Sequence, residues 1–120
     1  MLERRHSPRV RHRRRVGIRL ASGEMVYAWT YDISAGGLQI LSEYNADVGD
    51  EFDIAFNVFD YDHSEYCGVH MHVRIAHVVY VGNMGCYRIG MQFLGFGEGE
   101  RELYEHFLDE RIRAQYGTPL

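Results

Sequence analysis

The chain has 120 residues, 46% hydrophobic and 25% charged, which suits one globular domain with a modest core. No run approaches the ~20 apolar residues of a membrane-spanning helix, and the basic start is not followed by a signal peptide's apolar stretch, so a cytoplasmic protein is expected. The net charge of −4 hides an asymmetry: residues 1–19 hold eight of the thirteen arginines against one acid, and the remainder holds five arginines and sixteen acids. A basic arm on an acidic body implies an anionic partner, or docking onto its own domain.

Residues 1–14 show no apolar periodicity, and Pro8 with the clustered charge disfavours a helix. They are expected to form a flexible Arg-rich arm, with residues 15–120 forming the domain. Arg15 to Leu20 alternates Val16, Ile18 and Leu20 with polar residues or Gly, as a half-buried strand does. Ser22-Gly23 signals a turn. A second strand is expected from Glu24 to Tyr31 and a third from Gly37 to Leu41, antiparallel to each other. Glu51 to Val58 places Phe52, Ile54, Phe56 and Val58 on one face. Cys67 to Val81 does the same with Val69, Met71, Val73 and Ile75, then slips near Ala76-His77, which suggests a bulge. Gly82-Asn-Met-Gly85 reads as a hairpin loop before a last strand, Cys86 to Leu94.

Glu100 to Tyr116 reads as a helix. Leu103, Phe107, Leu108, Ile112 and Tyr116 form its apolar stripe, acids favour its start, and Gly117 and Pro119 stop it. The expected fold is all-β: a small six-stranded antiparallel barrel with a C-terminal α-helix at about residues 100–116.

Two strands meet at Asp32-Ile-Ser-Ala-Gly-Gly37. Gly36-Gly37 permits positive φ and a sharp turn. Asp32 and Ser34 alternate along an extended chain, so both can face one side, suiting a polar planar ligand such as a guanine edge. Ordinary turn chemistry explains the same residues. The arm supplies a second signal, Arg5-His-Ser-Pro-Arg9, with Arg4 before it.

R-x-x-x-R followed by D-x-S-x-x-G resembles the PilZ domain, the bacterial receptor module for cyclic di-GMP. Tyr87-Arg-Ile-Gly-Met-Gln-Phe93 is similar to that family's glycine-containing late strand. The resemblance implies that Arg5 and Arg9 bind guanine and phosphate, with Arg4 helping where two ligand molecules stack. It implies that Asp32 accepts from guanine N1–H and the 2-amino group, and that Ser34, Gly36 and Gly37 complete the floor. It also implies a receptor that orders its arm over the ligand and signals to a protein partner, in motility, exopolysaccharide or biofilm control.

The alternatives are a nucleic-acid-binding barrel, which the acidic body argues against, and a protein adaptor that binds no nucleotide, which the intact motifs argue against. The roles of Arg11, Arg13, Arg14 and Arg15 stay open. His70 and His72 share a strand face; a metal pair is possible in principle, but the apolar alternation turns them to solvent. No third ligand has a recognisable spacing, and no metal is expected. Cys67 and Cys86 read as free thiols. No nucleophile elbow, Walker motif or dinucleotide fingerprint appears, so no enzyme activity is expected. Trp29 and its neighbouring tyrosines suit base stacking, though core packing is the commoner use.

Overall fold

The alternating apolar positions of the predicted strands become the inner wall of a barrel. A computed structural model describes residues 8–117. In chain order the elements are β1 (Val10–Arg11), β2 (Arg15–Arg19), β3 (Met25–Ile33), β4 (Gly37–Ser42), β5 (Glu51–Asp60), β6 (Glu65–Val81), β7 (Cys86–Phe96) and α1 (Glu100–Tyr116). All pairings are antiparallel. The order β3-β2-β5-β6-β7-β4 closes through a β3–β4 pairing, giving six strands in a ring and β1 outside it. Closure leaves no long sheet edge inside the ring unpaired.

Val16, Ile18, Ile54, Phe56, Val58, Val69, Met71, Val73 and Ile75 all point inward, as their alternation requires. On β6 the residues of the other parity, Gly68, His70, His72 and Arg74, are exposed, whereas Gly17 on β2 is buried and Ala55 on β5 half-buried. The slip near Ala76-His77 is a register shift between Ile75 and His77, and a second lies between His72 and Val73.

A third shift, which the sequence pattern does not announce, falls between Thr30 and Asp32 on β3. Tyr31 is the extra residue there. The bulge changes the parity, so that Thr30 and Ile33 are both fully buried. Asp32, lying between them in sequence, is left at the barrel rim.

The expected arm boundary at residue 14 meets a different arrangement. Val10 and Arg11 pair with Ile33 and Asp32, and Val10 is completely buried. One valine offers no periodicity to read, yet it has an apolar place to fill beside Ile33. His12 is buried too.

α1 keeps its expected bounds, but its inner face is rotated. Tyr104, absent from the expected stripe, is fully buried with Phe107 and Leu108, whereas Tyr116 is 60% exposed. The Tyr104 ring meets Phe56 and Phe93 edge-on, and burial holds its phenol neutral far above the ordinary range. At the other end of the helix, Glu100 accepts a 2.6 Å hydrogen bond from the His70 backbone N–H, tying α1 to β6. No helix among the described residues is long and apolar enough to cross a membrane.

Candidate functional site

Asp32 stands where β1, β3 and β4 meet, and both of its oxygens are engaged. Arg9 Nη1 donates to Oδ1 at 3.2 Å. Gln39 Nε2 donates to Oδ2 at 3.0 Å, and His77 Nε2 lies 3.3 Å from the Gln39 Oε1. The carboxylate is thus oriented from two sides, by the arm and by β4. Gln39 reaches it because the bulge sets Asp32 opposite Gln39 in register.

Ser34 does not join Asp32 on that face. β3 ends at Ile33, so strand alternation no longer governs the next residue. Ser34 is buried; its N–H and its hydroxyl both donate to the Gly37 carbonyl, at 2.9 and 3.1 Å. Its own carbonyl accepts from the Tyr104 hydroxyl at 2.6 Å. The Phe93 N–H donates to the Gly36 carbonyl at 2.9 Å.

Neither Gly36 nor Gly37 takes positive φ, contrary to the expectation for a sharp turn. Gly37 has a different requirement: a Cβ there would run into the backbone carbonyl of Met91 on β7. Ser34, Gly36 and Gly37 therefore build the support under Asp32. Gly90 on β7 meets a similar demand, since the His77 ring occupies the space its side chain would need.

The arm segment lies along the other side. Thr30 Oγ is its fixed point. It donates to the His12 carbonyl at 2.8 Å, accepts from the Arg14 N–H at 2.9 Å, and faces His12 Nδ1 at 2.8 Å. The His12 ring packs against Phe56 and Phe107. Burial, reinforced by the Arg111 and Arg14 guanidiniums, lowers its pKa to about 4, so the imidazole is neutral at pH 7. The end of α1 holds the same segment from outside. Tyr116 OH donates to the Arg9 carbonyl at 2.7 Å, and the Arg11 N–H donates to Gln115 Oε1 at 2.9 Å.

Between arm and helix opens a cleft of about 900 Å³. Arg9, Arg11, Arg13, Arg14 and Arg111 line it, with Asp32 the one carboxylate among the described residues of the lining. Phe59, Tyr61, Tyr66 and Tyr31 supply aromatic surface. Such a lining, cationic forks over aromatic rings beside one acceptor, suits a planar anionic ligand. Arg4 and Arg5 lie outside the described residues. Trp29 is half exposed on the outer surface and does not line the cleft, unlike Tyr31.

A sequence profile described as the PilZ domain matches residues 3–110. This chain belongs to the PilZ domain family. Solved PilZ-type structures share its fold at low identity. MotI/DgrA, the inhibitor of motility of Bacillus subtilis, is 16% identical with a TM-score of 0.77, over 99% of this chain and 55% of that one. The PilZ domain of YcgR from Escherichia coli, solved with c-di-GMP, is 19% identical with a TM-score of 0.62, over 98% of this chain and 100% of that one. MrkH of K. pneumonia in its apo state is 15% identical with a TM-score of 0.71, over 96% of this chain and 53% of that one. The chain thus spans about half the length of MotI and MrkH. No curated protein matches the sequence.

Within this PilZ domain, the residues that sequence reasoning missed are Gln39, His77, Tyr104, Gln115 and Tyr116. Each acts through side-chain contacts made across the fold, and none carries a motif. Only the aromatic and amide character of the last turn of α1 hinted at contacts of that kind. His70 and His72 pair instead with surface acids: His72 lies 2.7 Å from both Asp53 and Glu51, which raises its pKa through those hydrogen bonds. Among the described residues, no cluster of three or more His, Cys, Asp or Glu is placed to hold a metal ion. Cys67 and Cys86 are free thiols.

Proposed function

We propose that this PilZ domain is a cyclic di-GMP receptor, with no catalytic role, that closes its arginine segment over the ligand and passes occupancy to a protein partner. The observation that carries the reading is Arg9 resting on Asp32 at the rim of the cleft. Asp32 presents carboxylate oxygens that complement guanine N1–H and the 2-amino group. Arg9 offers a fork for guanine O6 and N7 or for a phosphate. In the free protein the two groups satisfy each other, so a guanine entering the site exchanges with Arg9 for one carboxylate oxygen. Arg9 is then released toward the ligand.

Arg4 and Arg5 are assigned to the same ligand by their place in the R-x-x-x-R arm. Asp32 is assigned the guanine edge, and Ser34, Gly36 and Gly37 the rigid turn that sets it. The solved complexes of YcgR and MrkH with c-di-GMP add support from proteins of the same fold. Ordering the arm has an entropic cost at the moment of binding, and it changes the surface that a partner would meet.

Calorimetry with cyclic di-GMP, cyclic di-AMP, GTP and single-stranded DNA tests the reading. Cyclic di-GMP should bind far more tightly than cyclic di-AMP, because adenine lacks the paired donors that Asp32 accepts. Equal affinity for the two dinucleotides would overturn the guanine assignment. Preferential binding of DNA, weakening steeply with salt, would support a nucleic-acid role instead.

A further inference from the structure

The cleft has a second cationic wall that the R-x-x-x-R and D-x-S-x-x-G motifs do not describe. It comes from α1. Arg111 projects from the penultimate turn of the helix and lines the cleft beside Arg14 and His12. Its Nη2 donates to the Arg11 carbonyl at 3.3 Å, and its Nε is buried with no hydrogen-bond partner among the described residues. Buried guanidinium N–H groups are ordinarily satisfied.

The charges around it make the orphan informative. α1 carries Asp109 and Glu110 next to Arg111 in sequence. Glu110 nevertheless pairs with Arg113 at 2.7 Å. Among the described residues, no carboxylate lies within ion-pair distance of Arg111, Arg14 or Arg11. Arg14 is held instead by the Tyr66 hydroxyl at 2.7 Å, with its guanidinium over the Tyr66 ring. Two guanidiniums, those of Arg14 and Arg111, therefore line the cleft beside His12 with no counter-charge among the described residues.

We propose that Arg111, with Arg14 beside it, forms an anion subsite on the α1 side of the cleft that takes a phosphate of the bound nucleotide. The inference rests on the receptor reading and extends it. Asp32 and Arg9 select the base at one end, and Arg111 holds the phosphodiester at the other, so that the ligand bridges the arm and the helix. A phosphate there gives the Arg111 Nε an acceptor and supplies the missing negative charge. A helix C-terminus repels anions, so the subsite depends on these side chains and not on the helix dipole.

Calorimetry on the full chain at several salt concentrations tests this, with Arg111→Gln and Arg113→Gln compared against the wild type. The two variants remove the same charge from the same helix, but Arg113 does not line the cleft. Arg111→Gln should weaken cyclic di-GMP roughly tenfold, the order expected for a lost charge-assisted hydrogen bond. It should also make the remaining binding less sensitive to salt, because one screened charge contact is gone. Arg113→Gln should change neither by more than about twofold. A thermal melt checks that Arg111→Gln remains folded. If it does not, Arg111→Lys keeps the charge and stem, and should bind about threefold to fivefold less tightly, because a lysine cannot make the paired fork. Wild-type affinity in the folded Arg111 variant, or equal losses at Arg111 and Arg113, overturns the subsite while leaving the receptor reading intact. Absence of cyclic di-GMP binding by the wild type overturns the receptor reading, and the subsite with it.

Discussion

The arginine segment Arg9–Arg14 and the turn Ser34–Gly37 carry the two halves of one motif, and they are held in opposite ways. The turn is pinned from within. Its backbone and the Ser34 hydroxyl bond to one another, to Tyr104 on α1 and to Phe93 on β7, and Gly37 packs its bare Cα against Met91. The segment is held from outside and by little apolar surface. Val10 is its one buried aliphatic side chain, His12 packs its ring against Phe56 and Phe107, and its other attachments are polar: Thr30, Asp32, and the Gln115 and Tyr116 side chains of α1. Polar contacts near solvent each contribute little net free energy, whereas burial and tight packing resist change. The difference suits a receptor in which a fixed platform presents Asp32 and a releasable segment responds to the ligand.

The largest expected effect comes from the platform. Gly37→Ala should destabilise the fold by about 3 kcal/mol, because its methyl meets backbone and not a movable side chain. Gly36→Ala, at an exposed position without positive φ, should cost less than about 1 kcal/mol. Urea unfolding of the two variants makes the comparison. Similar losses at both positions would mean that the turn is not packed as described.

Arg9→Ala should have its effect on the ligand and not on the fold. Cyclic di-GMP affinity should fall by roughly 1.5–3 kcal/mol, while Arg13→Ala costs much less. Titration calorimetry separates them. Equal losses at both arginines, shrinking together as salt rises, would mark the segment as a generic cationic tail.

His12 lets the segment be followed by pH. Its folded pKa of about 4 lies below the ordinary 6.5, chiefly through burial and then through Arg111 and Arg14. The unfolded chain therefore binds the proton first as pH falls. The neutral, buried imidazole contributes fully above pH 6.5 and loses its contribution as pH drops toward 4. Between pH 7 and 5 the loss should be about 2 kcal/mol. His63 and His72 have raised pKa values and act in the opposite sense, but they are common to wild type and variant. The gap between wild type and His12→Gln should thus narrow from pH 7 to pH 5 in urea melts. A constant gap would place His12 in contact with water.

Tyr116→Phe removes a single hydrogen bond to the Arg9 carbonyl, and the residue is exposed. Its cost to stability should be about 0.5 kcal/mol. Proteolysis by trypsin near Arg9 should become faster in the variant if α1 restrains the segment, and unchanged if it does not.

Much of the barrel was legible because each long strand buries one parity of apolar residues. Phe52 to Val58 and Val69 to Ile75 could hardly be read otherwise. What escaped were features set by contact and not by period. β1 is two residues long and has one apolar side chain. The bulge at Tyr31 leaves no mark in a strand rich in aromatics, yet it decides where Asp32 stands. Tyr104 looks amphipathic on paper; its hydroxyl is buried because the Ser34 carbonyl is there to receive it. Asp32, Ser34, Gly36 and Gly37 could be read as one turn, but their division of labour could not. Asp32 faces the cleft, whereas Ser34 and Gly37 face inward, since the strand ends one residue before Ser34.

Amide hydrogen exchange with and without cyclic di-GMP reads both regions in one experiment. Slow exchange is expected at Ser34 and Phe93 in both states, and exchange at Arg11, His12 and Arg14 should be faster in the free protein than with ligand bound. Ligand binding that leaves those three amides unchanged, or that acts on the turn instead, would contradict it.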